Sequence, residues 1–215
     1  MVRLWGGLTL AVVVLFLALA FGLRAVIHHR NTGSWGFNRL SGKRWSAEWN
    51  AGILFRAALL AALTAPALQL AGVLMPFPAL DGGAFRTTGA ALAVAGIAIT
   101  IASQHAMGTS WRVGVDPGER TTLVTAGPFA LVRNPVFTGM ITAFAGMGLL
   151  TPNPVSLFGV GSLIAAIEIQ VRAVEEPYLL RAHPDSYGAY AGSVGRLVPG
   201  FGRVRGIGAR EASRG

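Results

Sequence analysis

The chain contains no cysteine among its 215 residues. This absence excludes disulfide bonds, zinc sites built on thiolates and a cysteine nucleophile. Charged residues are also scarce, at 13% of the chain, whereas a soluble domain carries about 25%. Hydrophobic residues make up 53% of the sequence, and the mean hydropathy is +0.55. The composition therefore indicates a membrane protein.

Acidic residues are half as frequent as basic ones, 9 against 18, so the formal net charge is +9. Nucleic-acid-binding proteins also carry such a charge, but here the basic side chains lie in loops between apolar segments. That placement is the one membrane topology requires, and it argues against nucleic acid as a partner. The sequence also contains no G-x-G-x-x-G dinucleotide-binding turn and no evident internal repeat.

Long apolar segments alternate with short polar ones along the chain. Three of these segments are long enough to cross a bilayer, which needs roughly 20 residues. Two shorter segments are separated by Thr151-Pro152-Asn153-Pro154, so we expect a short helical hairpin with polar ends near the lipid headgroups. The five predicted spans cover residues 4–27, 49–75, 84–107, 136–150 and 155–171.

The distribution of basic residues predicts the orientation. The loop after the second span carries only Asp81 and Arg86, whereas the loop after the first span is strongly basic. The positive-inside rule places the basic loop in the cytoplasm, and therefore the N-terminus outside and the basic C-terminal tail inside. We expect an all-α integral membrane protein of five helices, with three spans in 1–107. The catalytic region in 108–215 is expected to consist of a cytoplasmic loop, the helical hairpin and the C-terminal tail. The basic residues of the first loop are Arg24, Arg30, Arg39, Lys43 and Arg44.

A polar segment directly precedes the hairpin. Asn134-Pro135 is typical of a helix N-cap followed by proline at the first helical position. Such a helix start presents backbone N–H groups that favour an anion, and Arg133 adds a full positive charge beside it. Gly127-Pro128 supplies a turn ahead of this start. Alternatively, Arg133 extends to lipid phosphate groups while Asn134-Pro135 only begins a helix.

A second polar cluster follows the hairpin. Glu168, Arg172 and Glu175 are spaced i, i+4, i+7, which places them on one face of a helix, and Glu176 follows Arg172 at i+4. Ion pairing along the helix is one explanation. However, exposed pairs stabilise by only about 0–1 kcal/mol, and a charge in the membrane costs at least about 2.5–3.5 kcal/mol. We therefore favour a ligand-binding role.

The two clusters together resemble a known family. The order is G-P-F-x-x-x-R-N-P-x-F-x-G from Gly127, an apolar hairpin, R-x-x-E-E from Arg172, and a tail ending in R-L-V-P from Arg196. This arrangement is similar to that of isoprenylcysteine carboxyl methyltransferases and related phospholipid methyltransferases, over roughly residues 108–200. The resemblance implies an S-adenosylmethionine-dependent methyltransferase that acts on a lipophilic, isoprenoid or lipid-like acceptor with an anionic group such as a carboxylate.

The resemblance also implies a cofactor pocket between the hairpin and the preceding loop. In charge terms, Arg133 suits the methionine carboxylate, and Glu175 and Glu176 suit the ammonium or sulfonium group. Phe129 and Phe137 suit the adenine. The predicted cofactor-binding residues are Thr121, Thr122, Leu123, Val124, Gly127, Phe129, Arg133, Asn134, Pro135, Val136, Phe137, Glu175 and Glu176.

The acceptor is expected to enter from the bilayer. Arg172 falls where the family places an arginine toward the substrate, and Arg112 with Trp111 is a second candidate for holding an anionic group. Arg172, Glu176 and Arg133 are the predicted catalytic residues. We expect no metal and no obligate protein partner beyond membrane lipids.

Two other functions stay open. Sterol-reductase-like proteins resemble this family in their C-terminal half and bind NADPH there. A non-catalytic lipid-binding protein with the same fold is the other alternative. It is favoured by Asn134 and Phe137, which stand where family members usually have histidine and tyrosine.

Overall fold

The computed structural model describes residues 1–36, 42–111 and 123–204, apart from the side chain of Asp185. This part of the chain is helical and contains no strand, which confirms the all-α prediction. Short 3-10 turns lie at Pro78–Leu80, Gly108–Ser110 and Gly127–Ala130. The helices are α1 (Val2–Leu17), a first π-turn (Ala18–Leu23), α2 (Arg24–Thr32), α3 (Ala47–Ala71), α4 (Gly83–Met107), α5 (Pro135–Leu150), α6 (Pro154–Ile169), a second π-turn (Gln170–Glu175), α7 (Glu176–Ala182) and α8 (Pro184–Ser193).

Four helical stretches of the described chain are long and apolar enough to cross a membrane. The fifth predicted span corresponds to α5, which has 16 residues, or about 24 Å at the helical rise. It is apolar but shorter than the other four. The four long stretches are Val2–Thr32, Ala47–Ala71, Gly83–Ser110 and Pro154–Ala182.

The second arm of the hairpin is longer than predicted. The sequence reading ended it at Val171 because charged residues follow, but the helix continues through the second π-turn into α7. Polar side chains end an apolar segment but do not end a helix, because the backbone N–H and C=O groups of polar residues still form hydrogen bonds along the helix axis. Pro177 therefore lies inside this continuous helical stretch, directly after the π-turn, and its missing N–H removes one backbone bond along the axis.

Small residues set the spacing between α4 and α5, which pack along each other in antiparallel fashion. A Cβ atom added to Gly96 would lie 2.2 Å from the Ala143 backbone nitrogen, and one added to Gly146 would lie 2.3 Å from that of Ala93. A Cβ atom on Gly89 would lie 2.8 Å from the Gly146 carbonyl oxygen, and one on Gly139 would lie 2.5 Å from the Thr100 hydroxyl. These contacts confirm that these glycines serve close helix packing.

The remaining helices complete a bundle. Helix α3 packs along α6 and also against α1. At one end of the bundle, the Gln69 side chain donates to the Val2 carbonyl at 3.3 Å, and Asn153 in the hairpin turn donates to Gln69 at 3.4 Å. We call this the distal end. The opposite, proximal end contains Arg133, the C-termini of α2 and α4, and the start of α7.

Candidate functional site

A buried carboxylate at the proximal end pairs with two arginines. Glu176, the first residue of α7, is 7% exposed. Its Oε1 accepts from Arg133 Nη2 at 2.5 Å and from Arg196 Nε at 2.8 Å, and its Oε2 accepts from Arg196 Nη2 at 2.8 Å. These hydrogen bonds raise the pKa of Arg196 above its ordinary value. We call Arg133, Glu176 and Arg196 the Arg–Glu–Arg cluster.

The remaining bonds of Arg133 attach the C-terminal segment to this cluster. Its Nη1 donates to the carbonyls of Ala191 at 3.0 Å and Val194 at 2.5 Å, and its Nη2 also donates to Gly202 at 3.0 Å. The buried Nε has no hydrogen-bond partner. Arg133 and Glu176, predicted as cofactor ligands, therefore come together, but their polar atoms bind mainly to each other and to the chain.

The start of α5 is held by the same C-terminal segment. The Arg133 N–H donates to the Gly195 carbonyl at 2.8 Å, and the Asn134 N–H donates to Arg196 at 3.1 Å, beside a parallel bridge between Val132 and Gly195. Asn134 occupies the N-cap position with Pro135 after it, as predicted. However, the Asn134 side chain donates to the Arg196 carbonyl at 3.1 Å instead of capping the helix.

Two tyrosines of α8 pack beneath the 3-10 turn at Gly127–Ala130. The Tyr190 hydroxyl donates to the Phe129 carbonyl at 2.6 Å. Burial raises the pKa of Tyr187 to about 12, with the nearby Glu176 carboxylate adding to the shift, and burial also raises the pKa of Tyr190 to about 12. Leu123 packs against this pair. The sequence analysis predicted no contact for either tyrosine.

The other predicted cofactor residues belong to several elements and differ in burial. Pro135 and Phe129 are buried, whereas Leu123, Val124, Val136, Phe137 and Glu175 are half-buried. Gly127 is exposed and adopts a φ of +61°, which explains glycine at this turn. Glu175 accepts a hydrogen bond from Gln170 Nε2 at 3.3 Å. Thr121, Thr122 and Arg112 lie outside the described residues.

Arg172 lies on a different face from Glu176. Its side chain is 61% exposed and forms an ion pair with Glu168 one turn earlier. The predicted stripe therefore divides: Glu168 pairs with Arg172, whereas Glu176 pairs with Arg133 and Arg196. The segment Gln170–Glu175 between these two pairings is a π-turn, which regular i, i+4 spacing in the sequence does not predict.

Trp111, predicted on the acceptor side, is 2% exposed at the proximal end. The guanidinium of Arg24 lies over its ring, 5.2 Å from the ring centre. The sequence reading counted Arg24 only as a loop charge. The signal it missed is that Arg24 continues the helical register of the first apolar segment.

The fold and this cluster define an all-α membrane protein whose polar site lies at one end of the bundle. Residues 85–186, from α4 to the start of α8, match the family model for phospholipid methyltransferases. This match covers just under half of the chain and confirms the resemblance of this region to that family of membrane methyltransferases. No curated protein matches the chain significantly.

Proposed function

We propose that this protein is an S-adenosylmethionine-dependent methyltransferase that acts on a lipophilic acceptor from the bilayer. The observation that carries the proposal is the family match over residues 85–186. The matched range contains the start of α5 and the start of α7, and the Arg–Glu–Arg cluster holds these two elements together. The proposed cofactor pocket lies beside that junction.

The described residues of the proposed cofactor pocket form two groups, those that position the pocket and those that would contact the cofactor. Arg133 and Glu176 are positioning residues, because their charged atoms are bonded within the chain. Glu175 offers a half-buried carboxylate for the ammonium group, and Val136 and Phe137 offer half-buried apolar surface for the adenine. A carboxylate next to apolar side chains suits a ligand with a cationic group and an aromatic base.

The cofactor, when bound, supplies an activated methyl group. The chain contributes orientation and the exclusion of water, and proximity alone can lower the barrier by about 7–11 kcal/mol. A carboxylate acceptor is already nucleophilic and needs no general base. We propose that the exposed Arg172 meets the acceptor at the bilayer surface, together with Arg112.

Titration calorimetry of the purified protein in detergent tests the proposal, with S-adenosylmethionine, S-adenosylhomocysteine and NADPH as ligands. We expect both adenosyl ligands to bind. Glu175→Gln should weaken the binding of S-adenosylmethionine on the order of 10-fold or more, because a hydrogen bond to a charged group contributes about 1.5–3 kcal/mol. Glu168→Gln is the matched control, since Glu168 lies on the same helical stretch and pairs with exposed Arg172.

The other functions give different results. NADPH binding without S-adenosylhomocysteine binding would contradict the methyltransferase proposal and favour a reductase. Binding of none of the three would favour a lipid-binding protein. Equal affinity in wild type and Glu175→Gln would contradict only the assignment of Glu175.

A further inference from the structure

The second arginine-centred group at the proximal end involves Arg24, the first residue of α2. Its position is fixed from two sides. Gln104 Nε2 on α4 donates at 2.8 Å to the carbonyl of Ala20, within the first π-turn. Arg24 Nη2 donates to the carbonyl of Gly108, which ends α4. Because α1 continues into α2 through this π-turn, Arg24 is held against the end of α4 and is only 9% exposed.

Aromatic rings complete the surroundings of Arg24. Its guanidinium lies over Trp111, and the ring of His28, one turn further along α2, meets Trp111 edge-on with 5.5 Å between centres. A Cβ atom on Gly36 would lie 2.7 Å from the Trp111 ring. Trp111 is therefore enclosed on several sides and presents a fixed ring to the cation.

Within the described part of the chain, no carboxylate balances the charge of Arg24. In residues 1–36, 42–111 and 123–204, no carboxylate pairs with it, since Asp81 pairs with Arg86 and Glu168 with Arg172. Its Nε is buried without a hydrogen-bond partner. A cation–π contact recovers only part of the free energy that is lost when a charge leaves water. An anion beside Arg24 would remove this imbalance.

The surroundings of Arg24 indicate where such an anion comes from. Leu23, Val26 and Ile27 on the same helical stretch are exposed apolar side chains, so they face lipid in a membrane. A molecule with an acidic group and an apolar chain would contact both surfaces at once. We propose that Arg24, supported by Trp111, binds the acidic group, phosphate or carboxylate, of a membrane amphiphile. That this amphiphile is the methyl acceptor rests on the proposed function.

Calorimetric titration of the full chain in neutral detergent tests this site. The probes are dioctanoyl phosphatidic acid, dioctanoyl phosphatidylcholine and inorganic phosphate. We expect saturable binding of phosphatidic acid, and Arg24→Gln should weaken it on the order of 10-fold or more. Arg30→Gln is the matched control, because it removes the same charge from an exposed position of α2. Arg24→Lys keeps the positive charge but lacks the paired N–H donors of a guanidinium. This variant should bind phosphatidic acid with an affinity between those of wild type and Arg24→Gln.

Each outcome is decisive. Absence of saturable phosphatidic acid binding, or equal weakening by Arg30→Gln, would overturn the proposal. If inorganic phosphate binds as tightly as phosphatidic acid and with the same dependence on Arg24, the site binds a free anion and the proposed amphiphile is wrong. If Arg24→Gln does not fold, wild type and Arg24→Lys decide the matter. S-adenosylmethionine is titrated into the same samples, so that loss of this site and failure of the proposed function are separate results.

Discussion

Two carboxylates eight residues apart on one helical stretch have opposite environments. Glu168 forms one ion pair at the surface, whereas Glu176 is buried between two guanidinium groups. A surface pair contributes about 0–1 kcal/mol, but a buried carboxylate without its partners is strongly unfavourable. The burial of Glu176 therefore makes it a structural residue of the site.

Glu176→Gln should lower the stability of the protein markedly. The substitution leaves Arg133 and Arg196 without their carboxylate, and breaking a buried pair costs about 3–5 kcal/mol. Glu168→Gln should change stability by less than about 1 kcal/mol. Thermal unfolding in detergent measures both, and equal melting temperatures for the two variants would contradict the structural role of Glu176.

The two buried tyrosines should make the protein sensitive to high pH. Their pKa values are about 12 in the fold and about 10 in an unfolded chain. Unfolding therefore releases protons between these values, so stability is fully present below pH 10 and is lost as pH rises toward 12. Absorbance at 295 nm should show both late tyrosine ionisations, and Tyr190→Phe should remove one of them. Ionisation of both near pH 10 would contradict their burial.

At the residue scale, the sequence predicted which side chains lie in the same site. It did not predict all of the hydrogen-bond partners of those side chains. Arg133 and Glu176 were placed in one site because they flank the same hairpin, and the structure brings them together. The contribution of Arg196 was not predicted, because a pairing between residues so far apart depends on how the C-terminal segment folds back. The N-cap position of Asn134 was predicted from local chemistry alone.

At the scale of elements, the α4–α5 contact depends on the absence of side chains. A Cβ atom added to Gly96 or Gly146 would collide with backbone atoms of the facing helix. Backbone atoms cannot rotate away as a side chain can. Backbone proximity of this kind replaces the hydrophobic driving force that lipid does not supply between helices. This pair of helices places the end of α4 beside the start of α5.

Gly96→Ala should separate α4 from α5 and destabilise the bundle. Overpacking of a tight contact costs roughly 1–3 kcal/mol, and the facing Ala143 backbone lies only 2.2 Å from the added atom. Gly161→Ala is the control, because nothing lies within 4 Å of its Cβ position. Melting temperatures in detergent should fall for the first variant only. An unchanged value for Gly96→Ala would contradict the packing described here.

Helix positions were largely predictable and helix irregularities were not. Apolar length and the prolines around Asn153 gave the centres of the spans and the hairpin turn, since these depend on local composition. The two π-turns carry no such signal, because an i→i+5 bond leaves hydropathy unchanged. The predicted charged stripe assumed regular α-helical spacing across Gln170–Glu175. The end of the hairpin's second arm was misplaced for a different reason, because charged residues follow Val171 without ending the helix.

At the scale of the molecule, the bundle gathers its polar groups at the proximal end. The Arg–Glu–Arg cluster and the Arg24 group lie there, whereas the hairpin turn closes the distal end. The orientation of these two ends in the membrane stays a prediction from the positive-inside rule. It places the proximal end in the cytoplasm.

Cysteine labelling can test this orientation, because the natural chain has no cysteine. Ala79 is exposed at the distal end and Ser34 is exposed after α2. In intact cells, a membrane-impermeant maleimide should label Ala79→Cys, whereas Ser34→Cys should react only after the membrane is permeabilised. The reverse pattern would invert the proposed topology, and labelling of both sites in intact cells would contradict a single orientation.

The bridge between Val132 and Gly195 has a consequence for biosynthesis. Arg133 leaves the ribosome before Glu176 and well before Gly202, so its guanidinium first meets the membrane surface without any of its final partners. The start of α5 acquires its native bonds only when the last part of the chain is made. Chains that terminate ahead of Gly195 should therefore insert their helices and still be recognised by quality-control proteases as incomplete.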